Sequence, residues 1–236
     1  MRKSLFTIAA LCAASFSVAA SDWRTQVDIN SADLSKFSMT LFSDGKEVGS
    51  MTYGWQKDGD AYVIADRSEM QPNILETARG VIDADTLLPK SVVIDFAFGP
   101  DTMGYDLVWD KNQPTGTVAT LRKGEAKTRA VEATDGVGAP IRLAVIGMVA
   151  AFPITDDFET HLPWYNTLSG KVEDITLKTV GSATVEAPAG TFDAYKVAIK
   201  GGTPENIVYV SKSLPRKIVR IDVLGQPLHF LRNKDS

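Results

Sequence analysis

The mature part of the chain offers little to a chemist: two histidines, His161 and His229, and no cysteine beyond Cys12 near the start. No His-Glu-x-x-His or Cys-x-x-Cys spacing occurs, so a standard zinc site has no ligand set. His161 follows Asp156, Asp157 and Glu159. These are donor types for a histidine–carboxylate site, but in this order they read as an acidic, solvated loop entering a strand. His229 alternates with Leu228 and Phe230 and belongs on the opposite strand face from them. Acyl transfer lacks its Gly-x-Ser-x-Gly elbow, and a cysteine nucleophile is absent. Asp83-Ala84-Asp85 is the tempting carboxylate pair for glycoside hydrolysis. Followed by Thr86-Leu87-Leu88-Pro89, it reads better as a turn whose carboxylates accept from local backbone amides. Gly45-Lys46-Glu47-Val48-Gly49 lacks the strand-to-helix setting of a phosphate loop and is a hairpin connection. No cofactor is implied, and the sequence leans away from an enzyme.

The aromatic and sulfur side chains are more informative. Trp55, Trp109 and Trp164-Tyr165 fall on or beside strand-like runs, while Met148 and Phe152 lie on an apolar segment. Together they form a candidate wall for a lipid or acyl group, because apolar burial contributes about 25 cal/mol per Å² with few polar contacts. The alternative reading of the same six residues is ordinary core packing.

Two-residue alternation supplies the scaffold. It runs through Phe37-Ser38-Met39-Thr40-Leu41, Val92-Val93-Ile94-Asp95-Phe96, Ile175-Thr176-Leu177-Lys178 and Val219-Arg220-Ile221-Asp222-Val223. Turn signals such as Asp44-Gly45, Gly99-Pro100-Asp101 and Lys123-Gly124 separate the runs at short intervals. The expected fold is mainly β: an antiparallel meander forming a β-barrel or a strongly curved sheet or half-barrel. One stretch breaks the rhythm. From Asp135 it passes Gly136, Gly138 and Pro140, then runs apolar from Ile141 to Phe152 with Ile141, Val145, Met148, Val149 and Phe152 at helical spacing. This predicts one short apolar helix inserted midway, with Pro140 in its first turn and the whole acting as a plug or lid at the mouth of the sheet.

Residues 1–20 read as a signal peptide: Arg2 and Lys3, an apolar stretch from Leu5 to Val18, and the small residues Val18-Ala19-Ala20 before the cut. The expectation is a single β-rich domain over residues 21–236, free in the periplasm and not membrane-spanning. The formal charge of −4 becomes two units more negative without Arg2 and Lys3, and no basic stripe exists. Nucleic acid is therefore not an expected partner.

The segment Val185-Glu186-Ala187-Pro188-Ala189-Gly190-Thr191-Phe192-Asp193-Ala194-Tyr195-Lys196-Val197, with Tyr209-Val210-Ser211 and Leu214-Pro215-Arg216-Lys217-Ile218-Val219 after it, resembles the exported bacterial family catalogued as domain of unknown function 3108. The Gly45 to Gly49 hairpin and the Asp85-Thr86-Leu87-Leu88-Pro89 turn are also similar to it. The resemblance implies a periplasmic curved sheet like those of lipoprotein carriers, and it implies no activity and no site residues. Physically, Pro188 and Gly190 close a turn and Phe192 is placed to anchor the returning strand in the core. The functional expectation is a non-catalytic cell-envelope protein holding a hydrophobic small molecule inside the curved sheet. Its alternatives are an envelope protein-interaction or assembly factor and a carboxylate-dependent hydrolase of envelope glycan.

Overall fold

The computed structural model describes residues 22–111, 113–131 and 138–235. The leader read at residues 1–20 and the Asp135-Gly136 start of the apolar insert lie outside them. Among the described residues, fourteen strands form one sheet, every neighbour antiparallel. The N-terminal run is β1 (Phe37–Ser43), β2 (Lys46–Asp58), β3 (Ala61–Met70), β4 (Ile74–Asp83), β5 (Pro89–Phe98), β6 (Asp101–Asp110), β7 (Gln113–Arg122) and β8 (Glu125–Val131). The C-terminal run is β9 (Glu159–Asn166), β10 (Lys171–Ala187), β11 (Gly190–Lys200), β12 (Asn206–Ser211), β13 (Ile218–Val223) and β14 (Leu228–Arg232). Each run is a meander, and β1 pairs with β14 to join the two.

Alternation does the local work. In β1, Phe37, Met39 and Leu41 are buried while Ser38 and Thr40 between them are not. The β1–β2 connection is the two-residue Asp44-Gly45 turn, with both φ values positive (50° and 76°), the geometry that matches strand twist in a tight hairpin. One large core cluster draws on both runs of strands.

The sheet does not close, which corrects the β-barrel expectation and leaves the curved open sheet. The strands that would meet, β8 and β9, are unpaired with each other. The outer edge of β9 is already occupied, since Tyr165 N–H donates to the Pro140 carbonyl at 2.8 Å and Ile141 makes a parallel bridge to Tyr165. The opposite edge, β8, is exposed from Glu125 to Ala130.

That same contact explains a second departure. The helix α1 (Arg142–Met148) starts two residues after Pro140, with extended Ile141 as its cap, because β9 holds the segment extended until then. A 3-10 turn, Val149–Ala151, continues it. Ala144, Val145, Met148 and Val149 have no exposed surface. Burying a Val or Met side chain stabilises by about 1.5–3 kcal/mol, so packing holds this short helix where chain propensity would not. It lies on the inner face of the sheet. A Cβ at Gly80 of β4 would stand 2.8 Å from Ile141 Cδ1, and one at Gly147 would stand 2.6 Å from the Tyr53 hydroxyl and 2.7 Å from Trp55 Nε1. The Tyr53 hydroxyl donates to the Leu143 carbonyl at 2.8 Å and accepts from Trp55 Nε1 at 2.7 Å.

Phe192 anchors the returning strand in a core, but a second and smaller one. It packs with Val185, Ala194, Tyr209 and Val219 in a small cluster separate from the main core. The cause is the long β10, whose pairing with β11 is broken by a bulge between Thr179 and Ser182. Past it the hairpin reaches to β14, where Ala189 N–H donates to the Arg232 carbonyl at 3.1 Å.

Candidate functional site

The structure gathers the six proposed wall residues into the main core. Met148, Phe152, Trp164 and Tyr165 are at most 1% exposed and Trp55 is 8% exposed. Trp109 is half-buried and meets Tyr165 edge-on at 5.4 Å. Solvent reaches a different set. The Asp83 carboxylate accepts from the backbone N–H of Thr86 and Asp85 at 2.9 and 3.1 Å, the expected turn, and these bonds with the Thr86 hydroxyl hold it below its ordinary range. His161 stays on the exposed face of β9, its Nδ1 3.0 Å from the Thr176 hydroxyl. His229 lies opposite Phe42 and stacks on it at 5.3 Å, facing away from Phe230 as alternation requires.

The accessible apolar wall lies on the inner face of β3 to β7, beside the helix. Register sets it out in tiers, since directly paired residues share a face. Ile64 and Gly80 sit at the helix. The next tier is Asp66, Ala78, Ile94, Tyr105 and Val118, and all but Asp66 are buried. The one beyond is Ser68, Glu76, Phe96, Met103 and Thr120, all half-buried. The rim is Met70, Ile74, Phe98 and Asp101, with Phe98 45% exposed. The inner face therefore opens towards water as it leaves the helix. Phe96 and Phe98 stack at 5.8 Å, a flat aromatic surface at the opening.

Across β8 the same tiers end in Arg129 and Lys127, and inside the rim of β3 to β7 three more charges lie on or against the apolar face. Asp66 comes from β3, Glu76 from β4, and Arg142 is the first residue of α1. Burial, and then the negative charge of Glu76, push Asp66 up to about 7. A hydrogen bond from the Ser68 hydroxyl (2.9 Å) and the field of Arg142 only partly offset them. Burial also raises Glu76 against the pull of Arg142. Arg142 is lowered by burial while Glu76, Asp66 and Glu173 favour its charge. No nitrogen of Arg142 comes within 4.0 Å of those carboxylates, and its buried Nε has no hydrogen-bond partner among the described residues. The guanidinium instead lies over Trp164, 5.8 Å from the ring centre. Glu173 is held differently. Burial would raise it, but donors from Trp164 Nε1 (2.8 Å), Asn166 (3.0 Å), Thr203 N–H (3.2 Å) and Ser169 (3.2 Å) outweigh that and keep it below its usual range.

These charges had a signal in the sequence. Asp66 follows Tyr62 and Ile64 in phase, Glu76 precedes Ala78, Gly80 and Ile82 in phase, and Arg142 is the lone charge between Ile141 and Phe152. A charge in phase with inward-facing apolar residues marks a polar group that the fold turns inward. No group of three or more His, Cys, Asp or Glu able to hold a metal occurs among the described residues. No described helix is long and apolar enough to cross a membrane.

The family described as Protein of unknown function (DUF3108) matches residues 36–228 of the chain. No curated protein and no solved structure matches it.

Proposed function

This chain belongs to the DUF3108 family, and from that premise we propose that it is a non-catalytic protein, exported to the periplasm, that binds a hydrophobic ligand in the cell envelope. The ligand's apolar part lies on the inner face of β3 to β7 that α1 leaves bare. The observation that carries this reading is the tier pattern: Phe96, Met103 and Ile74 are half-buried on an inward face, and Phe98 at its rim is 45% exposed. Inward positions of a curved sheet normally disappear into the core. Apolar ones left in contact with water mark a surface that gains by being covered.

The hydrolase alternative asks for two acids pushed apart, one kept protonated and one ionised. Asp66 and Glu76 are both pushed upward, which offers no such division. The assembly-factor alternative would use the exposed strand β8. Glu125, Lys127 and Arg129 alternate along that strand, a pattern that discourages another strand from adding to it.

Titration with a fluorescent acyl probe, dansyl-undecanoic acid, tests the reading. The whole protein should bind it with enhanced, blue-shifted emission, and Phe98→Ala with Met103→Ala should weaken binding by about fivefold or more. No binding by the unmodified protein, or unchanged affinity in the double variant, would overturn it.

A further inference from the structure

We infer that the inner-face site takes an amphiphile with a zwitterionic head, its ammonium group between Asp66 and Glu76 and its anionic oxygens on Arg142. This rests on the reading that the bare inner face holds an apolar chain, and it adds what the head must be.

The argument starts from charges that face one another without pairing. Arg142 senses Glu76, Asp66 and Glu173, yet lies beyond 4.0 Å from the carboxylate oxygens of all three, and its buried Nε has no partner among the described residues. Opposite charges in a partly dehydrated site attract strongly, and here the fold holds them apart without a direct pair. Each side lacks what a zwitterion carries. The carboxyl of Asp66 has one hydrogen bond, from Ser68, and no ion pair. Glu76 has neither among the described residues, and burial holds both towards the neutral form against the pull of Arg142. The guanidinium of Arg142 rests on Trp164 with its donors unspent, a fork suited to phosphate or carboxylate oxygens.

The site also connects to the apolar wall. Glu76 is paired directly with Phe96 across β4 and β5, and Phe98 stacks on Phe96 towards the rim. A head group at Glu76 therefore has an aromatic surface beside it, and its chain has a route outward over Phe98. Glu173, already supplied with donors, contributes charge to Arg142 and has no need of the ligand.

The test holds the chain constant and changes only the head. Isothermal titration of the whole protein would compare dodecylphosphoethanolamine, dodecyl phosphate, dodecylammonium and dodecyl maltoside below their micelle concentrations. The zwitterion should bind about tenfold more tightly than each of the other three. Equal binding of all four would overturn the head-group inference and leave the apolar reading standing. Binding of none would remove that reading itself. Dodecyl phosphate matching the zwitterion would show that the two carboxyls take no ammonium, and dodecylammonium matching it would show that Arg142 takes no anion. Either result overturns the inference. Isosteric variants localise the effect: Asp66→Asn with Glu76→Gln should erase the preference over dodecyl phosphate, and Arg142→Gln the preference over dodecylammonium. The comparison of heads on the unmodified protein stands whether or not those variants fold.

Discussion

Replacing Asp66 with asparagine should make the protein more stable, and by an amount that grows with pH. In the unfolded chain this carboxyl titrates near its ordinary 3.8, whereas in the fold it is held at about 7. Below the unfolded value both states are protonated and the aspartate has no ionic penalty. As pH rises from about 4 to 7, the unfolded chain releases the proton and the native state keeps it, so unfolding becomes progressively easier. The sign is opposite to that of a salt-bridged aspartate. A difference of about 3 units at about 1.36 kcal/mol each sets an upper bound of about 4 kcal/mol. Asp66 keeps some contact with water, which brings the expectation nearer about 2 kcal/mol. Asparagine keeps the shape and the Ser68 contact without the charge. Urea unfolding of both proteins at pH 4.5 and pH 8 measures the effect: the asparagine variant should gain little at the lower pH and about 2 kcal/mol more at the higher. An equal difference at the two pH values, or a larger one in acid, would refute the claim that the fold holds this carboxyl uncompensated.

Tyr53→Phe removes the donor to the Leu143 carbonyl and the acceptor for Trp55 Nε1. It should destabilise by about 1–3 kcal/mol in denaturant unfolding. Gly147→Ala places a methyl group against the Tyr53 hydroxyl and Trp55 ring, so unfolding should show a loss of about 1–3 kcal/mol. Phe98→Ala, by contrast, alters a side chain already 45% exposed and should shift stability by only about 0.5 kcal/mol while weakening amphiphile binding. If an ammonium settles beside Asp66, which burial holds towards its protonated form, binding near pH 7 should release protons. Titration calorimetry in buffers of differing ionisation heat reads this directly, and proton uptake would contradict it.

Much of the scaffold was legible because alternation is a local signal. Phe37, Met39 and Leu41 announced an inward face, and Asp44-Gly45 announced the hairpin after it. The apolar insert was legible as a helix because Val145, Met148 and Val149 recur at helical spacing and all are buried. Its start was not, since the hold of β9 on Pro140 is a contact between residues 25 apart in sequence. Barrel closure was equally non-local: whether β8 meets β9 depends on what occupies the edge of β9. Trp55, Met148, Phe152, Trp164 and Tyr165 are buried in the main core and Trp109 packs half-buried against it. Residue type alone could not separate buried aromatics from the accessible Phe96 and Phe98, because exposure depends on where α1 stops covering the sheet. Asp66 and Glu76 are hard to single out because a charge on an alternating strand is ordinary until its phase is counted against Ile64, Ala78 and Ile82, and Arg142 stands out only once the apolar insert is seen to be buried.

The binding claim meets its most direct test in native mass spectrometry of the whole protein purified from its own envelope without detergent. The account predicts a discrete added mass in the range of a single amphiphile, released under mild collisional activation and depleted in a Phe98→Ala, Met103→Ala variant prepared alongside. A bare polypeptide mass, or an adduct retained equally by the variant, would contradict it.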